Sequence, residues 1–273
     1  MNWISQCALD ALLEEVALDY KPGLVCQNSV GSHTDMTFET FKQSIKGLAP
    51  HFKRYEQIGS EHSGSPQDLF EKLRQEGIHA EKSMFKSTHG INTHKGANFI
   101  HALLIGASAY LIANEQSLDL LHSTLKSMCA HLADDFAGIE KKKDLTHGEK
   151  IYQETQHMGI RQEAIDGFPI LFDYPFSKVD DTLISRYTFL FNSMALLFDT
   201  TIVHRAGLDG LKWTQAIAQT LNPHTIQDDF ESINQQFIKR WISPGGSADF
   251  LSASIFIHKM TKKLEEELAY GHN

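Results

Sequence analysis

The sequence is poor in the features that mark several large protein classes. Only three of its 273 residues are cysteine, Cys7, Cys26 and Cys129. They lie far apart and form no CxxC, so neither a disulfide framework nor a thiolate metal site is expected; reduced cysteines in a cytoplasmic protein fit the pattern. No run approaches the roughly 18 apolar residues of a membrane span. The start, MNWISQCALDALLEEV, has no basic segment ahead of an apolar one, so no secretory signal is expected. Excess positive charge is missing too. Formal net charge is −9, and the one local basic run, Lys141 to Lys143, sits between Glu140 and Asp144 and reads as a solvated loop. With no basic stripe, no nucleic-acid partner is expected. Fifteen histidines are scattered without any HExxH spacing. No fixed-period repeat and no Pro/Gly/Ser-rich linker divides the chain, and the stretch Gly59 to Pro66 reads as a surface loop.

Helical period, by contrast, runs through nearly every segment, and strand alternation through almost none. Hydrophobic residues make up 41%, enough for a sizeable core. Helices are predicted over 3–19, 37–48 and 93–113, with others starting at Ser65-Pro66-Gln67-Asp68, Ser117 and the Thr146–Glu149 capping box. The mostly apolar stretch from Lys178 to about Val203 is expected to be central. Further helices are predicted at 209–221, 225–241 and 247–269. The expectation is an all-α protein: a single compact multi-helix domain of about nine or ten helices over residues 1–273.

Polar residues then occur where apolar ones are expected. Asn92, Thr93, His94 and Lys95 crowd the mouth of the apolar 93–113 helix, while Asn98 and His101 sit inside it. The latter two read as satisfied core groups. Glu15 falls in the apolar stripe of the first helix, where a carboxylate must be paired with Arg or Lys, metal-bound or protonated. Lys21-Pro22-Gly23 ends that helix, and His33 and Asp35 stand near the next helix start, where Asp35 is also a plain N-cap candidate. Arg161 and Glu163 lie in GIRQEAIDGFP, which by itself reads as a helix-ending loop. Asp199 closes the apolar run FLFNSMALLFD just ahead of Arg205, its ordinary partner. Gly245-Gly246-Ser247 and Asp249 open another apolar helix, whose free amides make an anion site or a simple capped turn. Five such blocks, each against an apolar helix, are expected to converge on one pocket. Carboxylates beside cations there suit a Mg²⁺–polyphosphate ligand.

Taken in order, EVALDYKPGLV with GSHTDM, GINTHKGANF, GIRQEAIDGFP, DTTIVHRAG and SPGGSADFL resemble the motifs of the triphosphoribosyl-dephospho-coenzyme A synthases, which serve citrate lyase and, in a related branch, malonate decarboxylase. The resemblance runs from about Glu15 to Leu251. It departs at Thr201, where the family usually has Asn, at Ala206, where it has Gly, and at Gly159–Ala164, which replaces GARGEA. The resemblance implies transfer of the 5-triphosphoribosyl group of ATP to the 2′-hydroxyl of 3′-dephospho-coenzyme A, with release of adenine. It further implies a downstream transferase that moves the product to a carrier protein. On this basis Asp199 and Glu163 are the expected base or ribosyl-cation stabiliser, and Glu15, Asp35 and Asp249 the expected Mg²⁺ ligands. Lys95, Arg161, Arg205 and Lys21 are expected to hold the triphosphate. Asn92, His94 and His33 would line the nucleotide pocket, with the Gly245-Gly246-Ser247 backbone cradling a phosphate. The competing readings are Mg-ATP-dependent phosphoryl transfer or hydrolysis, and a non-catalytic nucleotide-binding helical protein.

Overall fold

The structure, a computed structural model, describes residues 3–271. Among the described residues there is no strand. Twelve α-helices follow one another: α1 (Trp3–Ala17), α2 (Phe38–Ser60), α3 (Pro66–Ser87), α4 (Lys95–Ala113), α5 (Leu121–Cys129), α6 (His147–Thr155), α7 (Ile160–Ile165), α8 (Pro169–Phe172), α9 (Leu183–Leu196), α10 (Thr200–Ala218), α11 (Ile226–Lys239) and α12 (Gly245–Gly271). Local chemistry sets several starts. Ser65 caps α3 in a reciprocal box with Asp68, Pro66 fills its first turn, and Thr146 with Glu149 does the same for α6. At α2 the box is Thr37 with Thr40, so Asp35 is not the cap.

The core is organised around α4, which packs against α1, α2, α3, α5 and α12. Its residues Ile100, Leu104, Ile105, Ala107 and Leu111 are fully buried. The two internal polar residues are paired. Asn98 accepts from the Tyr55 hydroxyl at 2.9 Å, and His101 Nε2 lies 2.9 Å from Ser252 Oγ. Those side chains, with Ser108, interrupt the apolar run in sequence. Among the described residues α4 is nevertheless the one helix long and apolar enough to cross a membrane; 72% of its apolar window is buried inside the protein, as in a core helix. Cys7, Cys26 and Cys129 are free and buried.

Four expectations need correcting. The helix predicted to stop at residue 48 continues to Ser60 with Pro50 inside it, because Phe52, Tyr55 and Gly59 keep the same face buried beyond the proline. GIRQEAIDGFP folds into α7 and the start of α8 instead of a loop. The 178–203 stretch is broken at Leu197–Asp199, where Leu197 turns extended and Asp199 caps the next helix. The helix predicted at 209–221 begins at Thr200 and kinks at Gly207, whose φ of 68° departs from helical geometry. The second of these, by adding α7 and α8, raises the helix number from nine or ten to twelve.

Leu104→Ala removes a fully buried side chain from the central helix and should lower unfolding free energy by about 2–5 kcal/mol. Urea denaturation checks this, and a loss under about 1 kcal/mol would mean that α4 is not the organising element.

Candidate active site

One cavity of about 520 Å³ gathers the blocks, and it is lined from Leu12 in α1 to Ser252 in α12. Residues that open α4 (Lys95, Gly96), α6 (His147), α10 (Thr200, Thr201) and α12 (Gly245, Gly246) all line it. Four helices therefore direct their positive dipole ends and unpaired amides to the same space, an environment that favours anions.

Protein carboxylates take up part of that field. Asp199 Oδ1 accepts from the amides of Thr201 (2.9 Å) and Ile202 (3.4 Å), and its Oδ2 from Gly246 (2.9 Å) and Ser247 (3.3 Å). One buried carboxylate thus joins the starts of α10 and α12. Gly246 permits the approach, since a Cβ there would come within 3.0 Å of the carboxylate. Asp249 does the equivalent for α4. Its carboxylate accepts from the Ala97 amide and packs on Gly96, where any Cβ would overlap it. Burial pushes the Asp249 carboxyl well up, and the charges of Asp199 and Glu15 add to this. Burial also raises Glu15, against the pull of Lys21, whose ammonium bonds its Oε1 and, at 2.6 Å, its backbone carbonyl.

Glu163 faces the same cavity from α7. Burial, with the Asp166 charge behind it, raises its carboxyl to about 7. Ile160, three residues earlier in α7, and Leu197 and Phe198, just ahead of α10, line the cavity as well. His33 and His94 also line the cavity; burial lowers them to about 4 and about 3, so both are neutral at physiological pH. Among the described residues no group of three or more His, Cys, Asp or Glu side chains is arranged to hold a metal by itself.

The structure brings Glu15, His33, Asn92, His94, Lys95, Glu163, Asp199, Gly245, Gly246 and Asp249 to the cavity. It sets the others elsewhere, for clear reasons. Arg161 turns away to Asp135, with Nε 2.9 Å from Oδ2, and lies over the Phe136 ring. Arg205 does not pair with Asp199. It donates to the Trp241 carbonyl at 2.9 Å and to the Ser32 carbonyl, tying two loops together behind the wall. Lys21 is buried on Glu15 outside the lining. Asp35 is exposed, 3.7 Å from His33 Nδ1. The expected Gly245-Gly246-Ser247 cradle is already filled: the Gly245 amide donates to the Ser243 carbonyl, and the next two donate to Asp199. The start of α4 differs. Its N-cap, His94, makes no side-chain cap, and although Asp249 takes the Ala97 amide, the amides of Lys95 and Gly96 have no intrahelical acceptor.

Comparison with known proteins agrees with this arrangement of motifs. Residues 1–268 match the CitG family, described as ATP:dephospho-CoA triphosphoribosyl transferase. The chain belongs to this family. A relative from Streptococcus mutans serotype c, named probable 2-(5''-triphosphoribosyl)-3'-dephosphocoenzyme-A synthase, is 37% identical over 93% of this chain and 94% of its own. Relatives of the same name from Streptococcus equi subsp. zooepidemicus (strain H70) and Streptococcus pyogenes serotype M49 are 36% and 37% identical, each over 96% of this chain and 97% of their own. No solved structure matches. Of the three departures from the triphosphoribosyl transferase motifs, Thr201 and the segment Gly159–Ala164, through Gly159, Ile160 and Glu163, line the cavity, whereas the Ala206 methyl packs toward Gly210 outside it.

Sequence reasoning missed the apolar walls, Leu24, Val25, Met36 and Phe41 on one side and Ile160, Leu197 and Phe198 on another. It also missed His147 and His204 at the rim, whose rings lie 3.9 Å apart. Apolar residues in loops carry no periodic signal; the capping box just before His147 is the only local hint.

Two outcomes test these placements. Asp199→Asn presents an amide N–H₂ to backbone N–H donors, so it should lose about 2–4 kcal/mol of stability; an unchanged melting temperature would show that the clamp is dispensable. Lys95→Ala, at a half-exposed position with Glu81 2.7 Å away, should cost less than about 1 kcal/mol and leave the circular dichroism spectrum unchanged, while ATP affinity drops at least tenfold. Unchanged ATP binding by calorimetry would remove Lys95 from the site.

Proposed function

We propose that this chain transfers the 5-triphosphoribosyl group of ATP to the 2′-hydroxyl of 3′-dephospho-coenzyme A and releases adenine. The observation that carries the mechanism is Glu163. Adenine is a poor leaving group unless it takes a proton as the C1′–N9 bond breaks. A carboxyl raised to about 7, on an apolar wall that suits a base, is matched to that task at neutral pH.

The triphosphate then belongs at the opening of α4. There the Lys95 ammonium, the Lys95 and Gly96 amides and Asn92 offer donors, and the helix dipole favours the negative charge. This reading drops Arg161, Arg205, Lys21 and the α12 amides as triphosphate contacts, because each is committed elsewhere. As the glycosidic bond breaks, positive charge grows on the ribose. Burial raises the Asp199 carboxyl and its four amides oppose this; in its ionised form it is a preorganised negative charge for the ribose rather than a proton acceptor. The acceptor oxygen attacks so electrophilic a carbon that its proton leaves after the new bond has formed, to the Glu163 carboxylate left by adenine protonation or to water, and no strong base is required.

Magnesium fits as an ion that arrives with the triphosphate. Such an ion uses one or two carboxylates together with phosphate oxygens and water. The crowded carboxyls of Glu15 and Asp249 are the donors of that kind here, and a cation beside them would offset their mutual repulsion. When bound, it neutralises phosphate charge and fixes the chain of phosphates. Asp35 is left out.

This reading includes a downstream transferase that consumes the product on behalf of a citrate lyase or malonate decarboxylase carrier subunit, and a cytoplasmic setting where ATP is plentiful. A single cavity lined from Leu12 to Ser252 supports treating residues 1–273 as one catalytic domain.

Incubation with ATP, Mg²⁺ and 3′-dephospho-coenzyme A should yield free adenine and a triphosphoribosyl adduct by chromatography with mass detection; ADP instead would mean phosphoryl transfer. Because Glu163 acts in its protonated form, kcat should decline as pH rises through about 7, by about tenfold per unit well above it. Glu163→Gln should lower kcat by roughly 10²- to 10⁴-fold and abolish that limb. A flat profile in the unmodified enzyme would exclude Glu163 as the acid.

A further inference from the structure

The reaction brings two adenine rings into one site, with different needs. The adenine of ATP departs and must gain a proton. The adenine of the acceptor stays on its own ribose throughout and needs only to be held. In a single displacement the acceptor approaches C1′ from the face away from the departing base, so the two rings cannot share a wall.

The cavity has two apolar walls from separate parts of the chain. One includes Ile160 of α7 and Phe198 just ahead of α10; Glu163, whose carboxyl burial raises to about 7, lines the cavity from α7 as well. The other is built from Val25, Met36 and Phe41, in the segment between α1 and α2 and the first turn of α2. Beneath this second wall lies a small apolar cluster of its own, Val16, Val25 and Met36 with Phe38, Phe41, Ile45 and Ile91, distinct from the main core. A satellite cluster ordinarily sits under a loop; this one also presents a face to the cavity.

Two polar groups border that face without partners. His94 is 2% exposed, its ring edge-on to Phe41 with centroids 4.8 Å apart. Nδ1 is fixed 2.7 Å from Ser44 Oγ, while Nε2 is buried with no hydrogen-bond partner among the described residues. The adjacent Thr93 Oγ1 is likewise buried and without a partner there, and both residues line the cavity. Buried polar atoms are paired in nearly all folded proteins, so two neighbouring exceptions facing a cavity point to a ligand. A purine edge offers an amino donor beside a ring-nitrogen acceptor, which complements a hydroxyl beside an imidazole.

We propose that Val25, Met36 and Phe41, with Thr93 and His94 reading its edge, form the slot for the adenine ring of the acceptor nucleotide. The ring of ATP then leaves from the Phe198 wall. The assignment rests on the function proposed above and extends it by giving each base its own wall. His94 suits the base that stays, because an imidazole kept neutral down to about pH 3 does not supply the proton that a departing adenine requires. Ser44 acts through His94 as a positioning residue.

Steady-state kinetics of adenine release tests this with Phe41→Ala, which trims a half-buried ring, and with His94→Gln, which keeps a neutral hydrogen-bonding side chain. KM for 3′-dephospho-coenzyme A should rise at least tenfold in each, with KM for ATP within about twofold of the parent. A second probe is 3′-dephospho-coenzyme A bearing hypoxanthine in place of adenine, which inverts the donor and acceptor on the edge. The parent should discriminate against it at least tenfold, and His94→Gln should not. A rise in KM for ATP instead would put the departing base in this slot, and unchanged constants with equal use of both acceptors would remove the slot; either overturns the proposal. If Phe41→Ala fails to fold, the base-swapped acceptor on the parent enzyme still decides. Absence of adenine release from the parent enzyme would overturn the proposed function, and this assignment with it, before any variant is made.

Discussion

The site depends on one carboxylate. Asp199 draws together two helix starts that lie more than forty positions apart in sequence, accepting two amides from each. Helix N-termini repel one another when brought close, since each carries partial positive charge. A buried negative charge between them turns that repulsion into cohesion. Asp249, one turn into α12, repeats the device on α4. The cavity is therefore framed by helix ends that two buried carboxyl groups hold in register, and Gly246 and Gly96 leave room for those groups to lie against them.

This arrangement explains the allocation of charge. Sequence alone suggests that arginines bind the triphosphate, yet Arg161 and Arg205 brace the outside of the wall. Among the described residues Lys95 is the lysine or arginine that lines the cavity, so in the proposed binding mode much of the remaining attraction for phosphate would come from backbone dipoles. A polyanion held in that way by amides and a metal ion would be fixed in orientation as well as bound. Directional fixing matters when one particular bond, C1′–N9, must break while the phosphate bonds survive.

Helix content, the α3, α4 and α6 starts and the convergence of the five blocks were legible in the sequence, because capping boxes and apolar periodicity are local signals. What each charged side chain would touch was not. Asp199 next to an arginine in sequence reads as an ion pair; instead it caps its own helix through Thr201 and Ile202, and the approach of α12 adds the amides of Gly246 and Ser247. Gly245-Gly246-Ser247 reads as an empty cradle for the same reason, since its occupant comes from residue 199. Glu15 was readable as a buried carboxylate that must be paired, metal-bound or protonated, and the structure pairs it with Lys21 six positions on. The hydrophobic walls left no trace, since Val25 and Met36 lie in a segment without period.

The cavity is closed by the two ends of the chain: Leu12 and Glu15 come from the first helix, and Gly246 and Asp249 from the last. During synthesis the first helix emerges long before the last exists. Until α12 leaves the ribosome and docks, Asp199 lacks half of its donors and the opening of α4 lacks its anion. A growing or prematurely ended chain therefore has no assembled centre with which to cut ATP. The order of translation itself keeps the centre from assembling before α12 has been made.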